Sequence, residues 1–180
     1  MAEFIVAVPE GVDASADGDF LRVKGPKGEL RREFRSTKLK LQKKDGGLVI
    51  STESTRKKDQ ALMGTWRALL KTMMTGVTKG YACRLKLVFS HFPIKLEAQG
   101  DRLVIKNFLG ERSSRTAEIV KGVQMKIEGD MISLQGIDKE KVGQSAANIE
   151  RATKIRGLDR RVFQDGLYIT QKTSQQGEGG

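Results

Sequence analysis

Leu103–Glu111 reads Leu-Val-Ile-Lys-Asn-Phe-Leu-Gly-Glu, and Leu21–Glu29, eighty-two residues earlier, reads Leu-Arg-Val-Lys-Gly-Pro-Lys-Gly-Glu. Leu21, Val23, Lys24, Gly28 and Glu29 fall opposite Leu103, Ile105, Lys106, Gly110 and Glu111. Each copy sets apolar side chains at alternate positions, then a lysine, then a turn that closes on Gly-Glu. That is the pattern of a strand running into a turn. A phrase that returns after a domain-sized interval points to a duplicated fold.

The helical signals repeat as well. Ser54 or Thr55 can cap a helix, and Leu62, Trp66, Leu69 and Met73 then form one stripe that Gly76 ends. After the N-cap candidate Asp138, the stripe returns as Val142, Ala146, Ile149 and Thr153, eighty residues on. Strands are expected at Phe4–Val8, Phe20–Val23 and Leu30–Phe34, with Gly25–Gly28 as the turn between the last two. A second hairpin follows, Leu39–Leu41 and Leu48–Ile50 around Asp45-Gly46-Gly47. Tyr81–Phe89 alternates as a strand that closes the first half. The second half repeats the order, with strands at Ile94–Ala98, Leu103–Ile105, Ala117–Ile119, Val123–Ile127, Met131–Leu134 and Leu167–Thr170. The fold class predicted is α+β: two duplicated domains, each a small, mostly antiparallel sheet packed on one α-helix. The expected domains are residues 1–82 and 83–172, and the Gln/Gly-rich residues 173–180 read as a disordered tail. Trp66 belongs to a core stripe rather than to a binding surface.

Composition narrows the partner. The chain of 180 residues has 33 Lys+Arg against 22 Asp+Glu, a net charge of +11. The excess is shared by both halves and concentrates locally, in Phe20–Lys44 and again in Arg151–Arg161. A polyanion is the natural partner of such a surface. No apolar run approaches the roughly 20 residues that span a bilayer. Met1–Val8 is short and carries Glu3, unlike a secretory signal. The single cysteine, Cys83, excludes an internal disulfide framework and fits a reducing cytoplasm, where it reads as a buried small hydrophobe.

The residues of catalysis are sparse. His91 is the only histidine, so no His pair or metal cluster is available. There is no phosphate-binding loop and no dinucleotide fingerprint. Neither a catalytic residue, a metal ligand nor a cofactor is assigned. What remains is cations around turns: Lys24, Lys27, Arg31, Arg32 and Arg35 in the first half, then Lys106, Arg112, Arg115 and Lys121 in the second. The second helix end adds Arg151, Lys154, Arg156, Arg160 and Arg161, with Lys172 after the last strand. For a single residue, a phosphate contact and a strand-edge charge that blocks aggregation are equally good readings. For the Arg151–Arg161 cluster, binding is favoured. With aromatics at 6%, shape and phosphate recognition of folded RNA fits better than base stacking.

Three phrases carry a resemblance: Tyr81–Pro93, ending Phe-Ser-His-Phe-Pro; Lys106–Glu111; and Arg161–Ile169, Arg-Val-Phe-Gln-Asp-Gly-Leu-Tyr-Ile. With Gly76–Gly80 and the Lys24–Gly28 turn, they resemble the protein-six family of the large ribosomal subunit, in its archaeal and eukaryotic form, over about residues 4–172. The resemblance implies two similar domains and a structural, non-enzymatic role in the cytoplasmic ribosome. It implies binding to large-subunit rRNA, chiefly through the second domain, near the stalk base and the sarcin–ricin loop. Neighbouring ribosomal proteins and nearby translation factors are the implied protein partners, and no membrane is involved. The implied RNA-facing parts are the Asn107–Arg115 turn and Arg156–Asp165 with the strand after it. There Gly110 and Gly166 would let backbone approach closely, or serve only as turn glycines. The alternatives are a free-standing RNA chaperone or regulatory RNA-binding protein, and, third, an enzyme acting on RNA.

Overall fold

A computed structural model describes residues 2–44, 47–88, 91–159 and 161–176. Met1, Asp45 and Gly46 of the expected turn, Phe89, Ser90, Arg160 and residues 177–180 lie outside the described residues. The chain divides into two compact units, Met1–Gly80 and Tyr81–Gly180.

The first unit holds β1 (Ala2–Ala7), β2 (Asp13–Asp17), β3 (Phe20–Gly25), β4 (Gly28–Glu33), β5 (Leu39–Lys44), β6 (Gly47–Thr52) and α1 (Lys57–Thr78). The strands pair antiparallel in two three-stranded sheets, β1-β6-β5 and β2-β3-β4. The second unit holds β7 (Tyr81–Val88), β8 (Lys95–Gln99), β9 (Arg102–Lys106), β10 (Arg115–Glu118), β11 (Val123–Glu128), β12 (Met131–Gly136), α2 (Lys139–Ala152) and β13 (Gly166–Gln175). Its antiparallel sheets are β10-β9-β8 and β11-β12-β7-β13. The fold is α+β, with two small sheets per unit where one was expected. One helix serves both because its apolar stripe is broad: α1 packs on β1 and β6 of one sheet and on β3 and β4 of the other.

Three expectations change on this frame. First, β7 does not close the first half. It lies between β12 and β13, and Tyr81, Cys83 and Leu85 point into the second core. In the sheet orders β7 takes the place that β1 holds beside β6. Second, Asp13–Asp17 is a strand, with Ala14 fully buried, where no strand was expected between Val8 and Phe20. Its signal is in the duplication, since β2 lies eighty-two residues before β8. Third, β13 runs past Thr170 to Gln175, through register shifts after Ile169 and Gln171, so Thr173–Gln175 are strand rather than tail.

The helices match best at a slightly different phase from the one expected. Leu62 is exposed and Leu69 half-buried, whereas Met63, Trp66, Leu70 and Met74 are buried. Each lies seventy-nine residues before the buried Val142, Ser145, Ile149 and Thr153. Trp66 packs edge-on against Phe34, with centroids 5.2 Å apart. Ser54 does not cap α1; its hydroxyl bonds Asp59, and Arg56 stands at the cap without a side-chain bond. The helix also passes through Gly76. Gly80, at φ +77°, ends it in the left-handed conformation that suits glycine. Asp138 caps α2 as expected, accepting from the Glu140 N–H at 2.9 Å.

Candidate nucleic-acid interface

The second unit brings the three sequence phrases together. Asp165, 1% exposed, accepts the His91 N–H at 2.8 Å and lies 2.6 Å from His91 Nδ1. The His91 ring lies 5.3 Å from that of Phe163. The Asn107 side-chain N–H donates to the Pro93 carbonyl at 3.0 Å, and the Phe92 ring covers Gly110. The His91–Pro93 segment therefore joins the loop after β9 to the loop before β13.

Those loops are tied down at both ends. Thr153, buried at the end of α2, accepts the Leu167 N–H at 3.0 Å, so the helix end and the start of β13 are fixed together. Between them Asp159 organises a turn. It accepts the Arg161 N–H on its side chain at 2.9 Å and the Phe163 N–H on its carbonyl at 2.9 Å. Such local acceptors hold a loop without regular structure.

The loop after β9 is built on a buried plug. Phe108 is fully buried, and Asn107, Leu109 and Gly110 take left-handed conformations at φ +58°, +52° and +74°. For a leucine this is a strained backbone, held because the surroundings determine it. Arg115 lies over the Phe108 ring, 4.3 Å from its centroid. One guanidinium nitrogen donates to the Ala152 and Lys154 carbonyls at 3.0 and 3.1 Å, and the others grip the Glu111 carboxylate. A cation on the last carbonyls of a helix satisfies orphan acceptors and opposes the helix dipole. The bond from Arg115 also holds the Glu111 carboxyl below the usual glutamate range.

Two depressions follow from this scaffold. A groove of about 370 Å³ is lined by Arg115, Thr116, Arg151, Ala152, Lys154 and Arg156. Beside it, a cleft of about 440 Å³ opens between the end of α2 and the start of β13. Arg151 and Lys154 line both. Arg151, Lys154 and Arg156 are exposed, and none forms an ion pair among the described residues. A concave surface with unpaired cations is what phosphate oxygens require.

The candidate residues thus separate. Arg115, Arg151, Lys154 and Arg156 meet at one groove. Arg115 lines it chiefly as a brace, since its nitrogens are committed to Glu111 and to carbonyls. Arg112, Arg161 and Lys172 are exposed. Lys106 is 2.7 Å from Glu97, which the contact draws below its ordinary range. Gly110 needs its positive φ, and Gly166 is buried, with the Tyr168 ring 3.2 Å from where a Cβ would sit. In both, glycine has a local structural cause. Sequence reasoning missed Phe163, Gln164 and Tyr168 as cleft residues and Glu111 as the partner of Arg115. The only signal for that pair is its i, i+4 spacing. Among the described residues no cluster of three His, Cys, Asp or Glu could hold a metal, and no helix is long and apolar enough to cross a membrane. Cys83 is buried, and burial pushes its thiol up.

Comparison with known proteins gives consistent matches. The family model described as Ribosomal protein L6 matches residues 8–80 and again residues 92–166. The chain is 44% identical over 167 residues to the large ribosomal subunit protein uL6 of Methanosarcina mazei, covering 93% of this chain and 95% of that one. It is 46% identical over 170 residues to the uL6 of Ignicoccus hospitalis, covering 92% and 91%. Against the uL6 of Methanocella arvoryzae it is 45% identical over 168 residues, covering 93% and 95%.

Proposed function

We propose, from the premise that this chain belongs to the ribosomal protein L6 family, that it is a structural constituent of the large ribosomal subunit in the cytoplasm and binds large-subunit rRNA through its second unit. Its role is not enzymatic. The RNA lies along the end of α2, with phosphates on Arg151, Lys154 and Arg156 and further contacts at Arg112, Arg161 and Lys172. Arg160 continues this stretch in sequence. The loop from Lys106 and Asn107 through Gly110 adds a second RNA-facing segment. The location is near the stalk base and the sarcin–ricin loop, among other large-subunit proteins and within reach of translation factors.

One observation carries this reading. Three cations without ion-pair partners among the described residues line one groove at a rigid helix end, where the last carbonyls are already satisfied by Arg115. No ion pair among the described residues neutralises them, which supports an external polyanion as the partner. In the first unit, Arg22 pairs with Glu29 and Lys43 with Asp13.

Charge reversal tests the assignment. Replacing Arg151, Lys154 and Arg156 by glutamate is expected to weaken binding to naked large-subunit rRNA by about tenfold or more and to lower the salt slope by roughly one for each phosphate no longer neutralised. The same reversal at Arg31 and Arg32 is expected to change affinity less than about threefold. Equal losses from the two sets remove the second unit from its role, and failure of the wild-type chain to sediment with large subunits at physiological salt removes the ribosomal assignment.

A further inference from the structure

The cleft between the end of α2 and the start of β13 has a lining that phosphate contacts alone do not use. Ile155, Phe163 and Leu167 give it an apolar floor. Tyr168 stands at its side, 42% exposed, with its ring seated against Gly166 and its hydroxyl donating to the Gln164 carbonyl at 3.2 Å. The ring is held before anything binds, so little freedom is lost when something does. Arg151, Lys154 and the acid Glu150 also line it, and the two cations continue into the neighbouring groove. A volume of about 440 Å³ suits a ligand the size of one nucleotide. An apolar side chain from a protein neighbour would fill the floor but leave the net positive charge of Arg151 and Lys154 over Glu150 unmatched. A nucleotide matches both, since its base has a π-face and its phosphates are anionic.

We propose that this cleft takes a single unstacked nucleotide of the bound RNA, its base against Tyr168 and Phe163 and its flanking phosphates on Arg151 and Lys154. The inference rests on the rRNA-binding reading above and refines it. Recognition is then not only of backbone and shape, because one extruded base anchors the register of the α2 end on the RNA.

The test uses the full chain and naked large-subunit rRNA, with Tyr168→Ala and Tyr168→Phe compared across a salt series. Base-modifying reagents probe the RNA in each complex. Tyr168→Ala is expected to weaken binding about five- to a hundredfold, the range for losing one stacked base, without changing the salt slope. Tyr168→Phe keeps the ring and is expected to bind like wild type. One unpaired base is expected to be shielded by wild type and by Tyr168→Phe, and to become reactive with Tyr168→Ala. Thermal unfolding of each variant checks that the fold is intact. Wild-type affinity and protection with Tyr168→Ala overturn the proposal, and so does an equal loss from Tyr168→Phe. A reduced salt slope with Tyr168→Ala overturns it too, since the ring would then only position the cations. Intact rRNA binding with failed entry into subunits assigns the cleft to a protein neighbour and also overturns it. None of these results touches the charge-reversal experiment, which stands or falls separately.

Discussion

The Gly25–Gly28 turn and the loop from Lys106 to Arg115 descend from the same phrase, and they have diverged in shape while keeping one contact. In the first, β3 and β4 pair up to Gly25 and Gly28, so only Pro26 and Lys27 lie between them. In the second, β9 and β10 are separated by residues 107–114. Yet each delivers a cation to the C-terminal carbonyls of its helix. Lys27 donates its backbone N–H to the Val77 carbonyl at 2.9 Å and its ammonium to the Lys79 carbonyl. Arg115 donates to the Ala152 and Lys154 carbonyls. The difference teaches what the duplication kept and what it released. Docking of the hairpin on the helix end is common to both. In the tight copy that docking uses up the turn. In the open copy it passes to Arg115 at the far end of the loop, and residues 107–114 are left out of the docking. The open loop then needs an anchor of its own, and Phe108 is that anchor.

The largest expected effect tests that anchor. Phe108→Ala removes a fully buried aromatic side chain and the surface beneath Arg115, at a cost of about 3–5 kcal/mol. In a unit of this size that is expected to unfold the second unit or to shift its transition by many degrees. Trp66, the only tryptophan, lies in the first core, so its fluorescence reports the other unit separately. An unchanged second-unit transition in hydrogen exchange would show that the open loop needs no plug.

The next effect belongs to the tight copy. A Cβ at Gly25 would lie 2.7 Å from Val77 Cγ2 and 2.9 Å from the Val77 carbonyl oxygen, which already accepts the Lys27 N–H. The oxygen cannot retreat without breaking that bond, so Gly25→Ala is expected to cost about 1–3 kcal/mol, read as a lower midpoint of the Trp66 fluorescence transition. Asn107 occupies the matching place in the open copy at φ +58°, where the constraint is backbone conformation rather than contact. Wild-type stability with Gly25→Ala would break the comparison, because the tight turn would then not be pressed against α1.

This contrast marks how far the sequence could be read. Alternation and turn residues give most strands and both hairpins, and helical spacing gives both helices, because those patterns are local and periodic. The division of each unit into two sheets is not local. It depends on which strands share hydrogen bonds, and composition does not record that. The assignment of Tyr81–Val88 to the second unit is lost for the same reason: an alternating strand fits either side of a boundary. The cationic groove is half legible. Arg151, Lys154 and Arg156 stand out as a cluster, but the use of Arg115 as a brace rests on backbone carbonyls thirty-seven and thirty-nine residues away, which carry no side-chain signal. The cleft beside Tyr168 is least legible, since a single tyrosine two residues after a glycine reads as an ordinary strand residue.

The smallest expected effect compares the glutamates that close the two phrases. Glu29 pairs with Arg22 across the tight hairpin, and Glu111 with Arg115 inside the open loop. The bond from its arginine lowers each carboxyl below its ordinary range. A depressed carboxylate contributes stability that is fully present above its unfolded value, about 4.3, and is lost as pH falls through the lower folded value. Both pairs should therefore weaken in acid, and neither should respond between about pH 6 and 8. The two carboxylates are about equally exposed, and the pairs differ at the arginine. Arg22 is 58% exposed, where an ion pair counts for little. Arg115 is only 24% exposed and also holds the helix end, so protonating Glu111 loosens a brace shared by the loop and α2. Glu111→Gln is expected to leave the second unit less stable at neutral pH but with a flatter decline toward pH 3, followed by hydrogen exchange of the α2 amides. Glu29→Gln is expected to leave the acid limb of the Trp66 transition nearly unchanged. A first unit as acid-sensitive through Glu29 as the second is through Glu111 would mean that the two turns are coupled to their helices with equal strength, and that the loop opened without moving its support onto Arg115.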